Sequence, residues 1–482
     1  MVATQHALYL ANVGNRDVYL DGQPLPADQA RALGEQIRNQ YEAYRDRITA
    51  PIIEAGLEHV LARGKPERRV LVTVYLFATN QDASAGPHRA RDTVHLAEVL
   101  CRYLKERFPP AKEPRGHVED VCCVEIRQNP SYYDGMYEFF GERLRAARLA
   151  PERWDACYVS PVGGVPAANF ALLLRAVERY AEKCHPLYVP EGSRHVVPSD
   201  IGDQLRRGLL RAQVRQQVAY GEFGRAAALL RELGADTALV GLAAHGQYRL
   251  HFDFDTAIRV LEDEVLRKAR GELREQARRL RADLDGLVQR DARALIRELY
   301  HNLCLTYKAG RYVDFLLRLF RLQEAVLRWV VEHELGLPTD ATNGKAHPAF
   351  VERIEANPAL HAHMQQPYKG RVLDYRRPPT LAVLRHLLDY LCCHGDEAAR
   401  ARFSAVAALL DQLEELADLR NRSIGAHGFE GVSEAAIRQC YGADRDLLDD
   451  LRTLLEQLGL APEDDPFAQL RELLLARLEE EA

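Results

Sequence analysis

Near the carboxyl end, Arg420-Asn421-Arg422-Ser423-Ile424-Gly425-Ala426-His427-Gly428 gathers two guanidinium groups, a carboxamide and an imidazole into a short segment. Arginine is a permanent cation whose planar donor fork clamps a phosphate. Histidine is the side chain best suited to moving protons near neutral pH. Together they suit cleavage of a phosphodiester in RNA, where the adjacent 2′-hydroxyl is the nucleophile and no metal is required. The same residues also fit an ordinary basic helix end, with cations at the negative pole of the dipole and Gly425 or Gly428 as the stop. Both readings stand on this segment alone, and Arg420 and Arg422 are both candidates for the cation.

A second set of chemistry-bearing residues lies in the first half of the chain. One β-rich run ends in Asn12-Val13-Gly14-Asn15-Arg16-Asp17. Another ends in Ala78-Thr79-Asn80-Gln81-Asp82, followed by His88, Arg89 and Arg91. A third ends in Ser160-Pro161-Val162-Gly163-Gly164-Val165-Pro166-Ala167-Ala168-Asn169. Gly163 and Gly164 permit close backbone approach, and a helix starting there offers unpaired N–H groups to an anion. The Asn, Gln and Thr side chains add hydrogen bonds for a base edge or ribose. Each segment alone is an ordinary βα turn, where Gly, Asn and Asp are expected. Three such turns on one sheet edge read as a polar nucleotide site. No GxGxxG or GxxxxGK[ST] occurs, which argues against a dinucleotide cofactor and a P-loop.

The elements that must position these groups follow from periodicity. Up to about residue 195, strands are expected at Ala7–Val13, Arg69–Phe77, Asp120–Ile126, Ala156–Ser160 and His185–Val189. Helical patterns separate them at Ala27–Arg63, Arg91–Arg107, Tyr133–Arg148 and Ala167–Glu182. That alternation predicts βαβ units and a parallel sheet covered on both faces. Beyond Ser199 strand signals nearly vanish. Asp255–Tyr300 reads as a solvated helix or helical hairpin, and Tyr312–Leu335 as a core helix. Gly336 to Thr380 is a loop with short helical pieces; Lys345, Lys369, Arg371, Arg376 and Arg377 give it a basic character suited to lining an RNA path or to plain solvation. Leu381–Cys393, Ala398–Leu419, Ser433–Leu458 and Pro466–Glu481 complete a helical second half. The expected architecture is α/β plus all-α.

Composition narrows the class. The 482 residues suffice for two or three domains, and 47% hydrophobic with 28% charged residues is ordinary for a globular chain. A net charge of −6 argues against non-specific nucleic-acid binding by bulk charge, so any RNA chemistry must use a local cationic site. Nine cysteines occur without any CxxC, which points to reduced thiols and away from zinc ribbons. Met1–His6 has no basic stretch leading into an apolar core, and no apolar run approaches the ~20 residues of a membrane span. A cytoplasmic location is expected.

Taken together, the two halves resemble the accessory ribonucleases of type III CRISPR systems, of the Csm/Csx class. These join an N-terminal CARF domain, a Rossmann-like sensor of cyclic oligoadenylates, to a C-terminal helical HEPN ribonuclease domain. The resemblance is carried by Asn12–Asp17, Ala78–Asp82, Gly163–Asn169 and Arg420–Gly428. The family's HEPN motif is Arg, a polar residue, and His after four to six intervening residues. Arg420 has the polar neighbour Asn421, which favours it over Arg422. Val165 departs from the commoner Gly-Gly-Thr-Pro turn.

The resemblance implies a CARF domain over 1–195, a helical connector over 196–289 and a HEPN domain over 290–482. It implies a metal-independent endoribonuclease acting on single-stranded RNA, with His427 as general base or acid, Arg420 stabilising the pentacoordinate phosphate and Asn421 orienting the motif. It also implies a homodimer with a composite site, no cofactor, and activation by a ring made by the type III effector complex, tetra-adenylate being favoured over hexa-adenylate. The ring would contact Asn12, Gly14, Asn15, Arg16, Thr79, Asn80, Gln81, His88, Ser160, Gly163, Gly164, Pro166 and Asn169; weak ring cleavage would involve Thr79, Asn80 or Arg16. Neither DNA nor membrane is an expected partner. Three other readings compete. A metal-dependent nuclease would need a motif that Glu125-Ile126-Arg127 only approximates; a DNA-binding regulator would need a compact basic helix-turn-helix. The third is a HEPN toxin held by an antitoxin.

Overall fold

The computed structural model describes residues 3–65, 67–110, 115–190, 193 and 195–481, so Met1 and Val2 of the amino-terminal stretch lie outside the described residues. The chain divides into two compact units, residues 1–209 and 210–482.

The first unit is built on a sheet whose strands are β1 (Ala3–Asn12), β2 (Arg68–Thr79), β3 (Gly116–Ile126), β4 (Ala156–Ser160), β5 (Cys184–Tyr188) and β6 (Val197–Pro198). Their order is β3-β2-β1-β4-β5-β6; the first five are parallel and β6 is antiparallel to β5. All five expected strands form. β1 starts earlier than its apolar run because Ala3 and the polar residues Thr4–His6 still pair in register with Arg68–Leu71 of β2.

Alternation along β1 shows why its core is apolar on both sides. Ala7, Tyr9 and Ala11 enter one buried cluster, whereas Leu8 and Leu10 enter another. The first cluster is covered by α1 (Ala30–Asn39), α2 (Pro51–Leu61) and α3 (Val94–Arg107), through Ile37, Leu57 and Leu100 among others. The second is covered by α4 (Tyr133–Arg143) and α5 (Pro166–Tyr180), through Phe140 and Leu172. The single helix expected over Ala27–Arg63 is instead broken. Strand Ile48–Thr49 pairs with Tyr19–Leu20 between α1 and α2, and Pro51, which lacks an N–H, starts the second helix.

From β1 the chain steps outward through β2 to β3, then returns past β1 to β4. β1 and β4 therefore flank the point where strand order reverses, where open α/β sheets form a crevice at their carboxyl edge. Register sets the strand ends level there: Asn12 opposes Phe77, Ala11 opposes Ser160, and Thr79 opposes Ile126.

Helix α6 (Ile201–Ala219) spans the boundary between the units. Among the described residues the second unit is helical apart from a two-stranded ribbon, Ala341–Thr342 with Lys345–Ala346, and two isolated bridges, Tyr368–Arg371 and Ser423–Glu430. Asp255–Tyr300 resolves into α9 (Phe254–Val260), a π turn over Leu261–Leu266, α10 (Gly271–Val288) and part of α11 (Ala292–Lys308), following α7 (Phe223–Leu233) and α8 (Thr237–Leu250). α12 (Tyr312–Leu335) matches its expected span and is stopped by Gly336 in the left-handed conformation. Its Phe315, Leu319, Val326 and Val330 lie in one core with Leu384 and Leu388 of α15 (Leu381–Cys393) and Val406 of α16 (Glu397–Glu414). Short helices α13 (Pro348–Ala356) and α14 (Pro358–Met364) fill the Gly336–Thr380 segment. The helix expected over Ala398–Leu419 ends early. After Glu415 and Leu416 a separate short helix, α17 (Ala417–Arg422), carries the arginines within its last turn.

α8 and α11 are joined by a buried ion pair. Arg249 meets Glu298 through two hydrogen bonds of 2.8 Å, with side-chain exposures of 4% and 3%.

Candidate functional site

At the carboxyl edge of the sheet the turns after β1, β2 and β4 line a cleft of about 430 Å³. A neighbouring hollow of about 640 Å³ shares Thr79, Arg91, Pro130 and Val165 with it and extends past Gln81, His88 and Arg127. Asn12 is buried and donates its amide to Asn169 Oδ1 at 2.8 Å, joining β1 to α5; its own Oδ1 is buried without a partner among the described residues. A Cβ at Gly14 would stand 2.5 Å from the Gly164 nitrogen, and Gly164 has φ +81°. These glycines let the two turns touch, beyond any approach to a ligand. Val165 and Ala168, in the uncapped first turn of α5 that Pro166 opens, also line the cleft.

Sequence reasoning passed over Asp17. Its Oδ2 accepts the Gly14 N–H at 2.6 Å, and burial pushes its carboxyl up to about 7. Only tertiary packing reveals this, since an Asp in a turn usually faces solvent.

The other expected contacts are partly committed to the protein. Asn15 donates to the Leu25 carbonyl at 2.8 Å. Asn80 accepts from Arg31 at 3.1 Å and donates to Glu125 at 3.2 Å. Gln81 binds the buried Asp92 through backbone and side chain, at 2.8 and 3.0 Å. Asp92 in turn meets Arg31 at 2.9 Å. Thr79 Oγ1 accepts from the Thr93 amide at 3.1 Å, and Thr93 reaches back to the Val13 carbonyl at 2.8 Å. Ser160 is buried at the end of β4. Arg16, Arg91 and Thr93 line the cleft, and His88 lines the neighbouring hollow. Arg31, Asp92 and Thr93 thus brace the second turn, and no local motif announces them. Glu125, the nearest approach to a metal-nuclease motif, pairs with Arg127 at 2.9 Å.

The arginine–histidine segment is built on α12 and α17. The Arg420 guanidinium lies over the Phe320 ring, 4.2 Å from its centroid, and its Nε and Nη2 donate to Asn421 Oδ1 at 3.1 and 2.8 Å. Asn421 therefore orients the arginine by direct contact. Arg422 pairs with Glu430 at 3.0 Å on the surface. Buried Ser423 ends α17; its hydroxyl donates to the Arg420 carbonyl at 2.7 Å. The chain then folds back, with His427 N–H to Asn421 O at 3.2 Å, Gly428 N–H to Ser423 O at 3.2 Å and Glu430 N–H to Arg422 O at 2.9 Å. Gly425 fits against Val313, where a Cβ would lie 2.8 Å from Val313 Cγ1.

The His427 side chain is exposed, and Ile424 (69%) and Phe429 (94%) expose apolar surface on either side of it. A half-buried arginine held by a ring and an amide, on the same folded-back segment as an exposed imidazole, supplies groups that can bind a phosphate and exchange a proton. One copy supplies only one such imidazole.

Of the basic loop residues, Lys369, Arg376 and Arg377 pair with Glu414, Glu355 and Asp374. His245 is a core residue whose imidazole is pushed down to about 3 by burial. Among the described residues no group of three or more His, Cys, Asp and Glu side chains is arranged to hold a metal, and no helix is long and apolar enough to cross a membrane.

Residues 285–448 match the family model of the Csm6 HEPN domain. None of the curated proteins matches the chain. Among solved structures, Enterococcus italicus Csm6 bound to cyclic hexa-2′-fluoro-hexa-dAMP aligns with 12% identity and a TM-score of 0.47, covering 98% of this chain and 99% of that one.

Proposed function

We infer, from a segment of the Csm6 HEPN family carried on the same chain as an open-sheet nucleotide cleft, that this protein is a CRISPR-associated ribonuclease switched on by a cyclic oligoadenylate. The observation that carries the nuclease reading is the folded-back turn Arg420–Glu430, which lies inside the matched segment and holds Arg420 on Phe320 with Asn421 as its clamp. The cleft at the strand-order reversal carries the sensor reading.

The mechanism follows from the side chains. Arg420 stabilises the charge that builds on the pentacoordinate phosphorus, and Asn421 holds its fork in place. His427 takes the proton of the 2′-hydroxyl as base or gives a proton to the leaving 5′-oxygen as acid. The products are a 2′,3′-cyclic phosphate and a 5′-hydroxyl, and no metal is needed. Acid and base must both act, so two copies facing one another complete the site; exposed Ile424 and Phe429 supply apolar surface for that pairing. A homodimer also offers a two-fold symmetric cleft to a symmetric ring. The substrate is single-stranded RNA. The ring of four adenylates expected from the family resemblance is tested against the ring of six, and slow ring cleavage at Thr79, Asn80 or Arg16 is tested alongside.

The experiment is cleavage of a fluorogenic single-stranded RNA in EDTA, with cyclic tetra-adenylate, cyclic hexa-adenylate or neither. Stimulation by one ring, lost in His427→Ala, is the expected result. An unchanged rate in His427→Ala would end the catalytic assignment. Ring cleavage undiminished in Thr79→Ala, Asn80→Ala and Arg16→Ala would remove those residues from that role.

A further inference from the structure

We propose that Asp17 is a positioning residue of the sensor cleft, pinning the turns after β1 and β4 together and taking up a proton when the cleft binds an anionic ring. The inference rests on the sensor reading given above. Asp17 is only 1% exposed although it lies among the cleft-lining residues. Its carboxylate accepts the Gly14 N–H on one side. On the other side Gly163 packs so closely that a Cβ there would overlap Asp17 Oδ2 and stand 2.9 Å from its Cγ. One acid therefore touches both glycine turns.

Two influences bear on its charge. Burial raises the carboxyl to about 7, and the Gly14 N–H opposes that. Other titratable and charged groups lie on the elements around it. Tyr9 of β1 is pushed well above its usual range by burial, and so stays neutral. Arg16 and Arg91 line the cleft beside Asp17. On α2, Glu54 is held by the Ala50 N–H and the Tyr103 hydroxyl, Glu58 meets Arg107, and burial lowers His59. His88, Asp82, Arg91 and Arg127 line the adjoining hollow, and His88→Gln is the control for a proton taken up there.

Phosphodiesters brought into this cleft place like charge near Asp17, which favours its neutral form further. The ring then carries a proton in with it. Above about pH 7 the affinity falls as pH rises, by up to about tenfold per pH unit, until the acid of the complex itself ionises.

The test is calorimetric titration of the full chain with cyclic tetra-adenylate and with cyclic hexa-adenylate, in two buffers of different ionisation enthalpy, from about pH 6 to 8.5. Proton uptake that disappears in Asp17→Asn and persists in His88→Gln is the expected result, with a flat affinity profile in Asp17→Asn. Ring binding without uptake, or uptake unchanged in Asp17→Asn, overturns the inference and leaves the sensor reading standing. Failure of both rings to bind at any pH overturns the two together. If Asp17→Asn does not fold, the His88→Gln profile decides: persistence of the pH dependence supports Asp17, and its loss assigns the proton to His88.

Discussion

Gly428→Ala isolates the geometry of the arginine–histidine turn from its chemistry. The added methyl would overlap the Arg422 carbonyl oxygen and sit 2.8 Å from Arg422 Cα. Ordinary carbon contacts need about 3.5 Å, so the turn must move by on the order of 1 Å. The bonds strained are Gly428 N–H to Ser423 O and Glu430 N–H to Arg422 O. Each is worth about 1 kcal/mol net, which limits the stability cost to about 1–2 kcal/mol. On the proposed mechanism the cost to cleavage is larger, because His427 precedes the clash and a ~1 Å misplacement costs about a hundredfold. Single-turnover RNA cleavage with saturating ring should fall by about that factor while ring affinity holds. Gly431→Ala, whose Cβ would meet nothing within 4 Å, is the matched control and should cleave normally. If Gly428→Ala cleaves as Gly431→Ala does, the folded-back turn is not what places the imidazole.

Phe320→Ala removes the ring under Arg420; a loss of about 1 kcal/mol predicts cleavage slowed about fivefold, with ring affinity unchanged in the same calorimetric assay. Glu298→Gln leaves the Arg249 charge buried and should destabilise the second unit by about 3–5 kcal/mol in urea unfolding, whereas Arg249→Met with Glu298→Leu should recover most of that. Asp17 has a folded-state value of about 7, raised above its ordinary value near 3.8, so its contribution is fully present below the unfolded value and is lost as pH rises from about 4 to 7. Asp17→Asn should therefore gain stability relative to the natural protein across that window, reaching on the order of 2–4 kcal/mol at pH 8; equal unfolding midpoints at pH 5 and 8 would refute this.

Local spacing carries its information within a few residues, and that is the part of this protein legible before folding. The five parallel strands show as short apolar runs because a sheet buried on both faces excludes polar side chains. The Arg420–His427 pattern and the glycine turns likewise show as residue types at fixed offsets. Helix breaks leave less trace in the pattern. Ala27–Arg63 keeps an amphipathic pattern across a strand, and α16 and α17 share one across a two-residue turn, because periodicity does not register a change of axis. What long-range packing decided has no local signature. Asn12 meets Asn169 across 157 positions, and buried Asp17 is covered in part by Gly163 from the turn after the fourth strand. Phe320, on a helix a hundred residues earlier, becomes the seat of Arg420 only once α12 and α17 pack together. Burial and charge state are properties of that assembled surround, so the groups tuned by it emerge when the chain is folded.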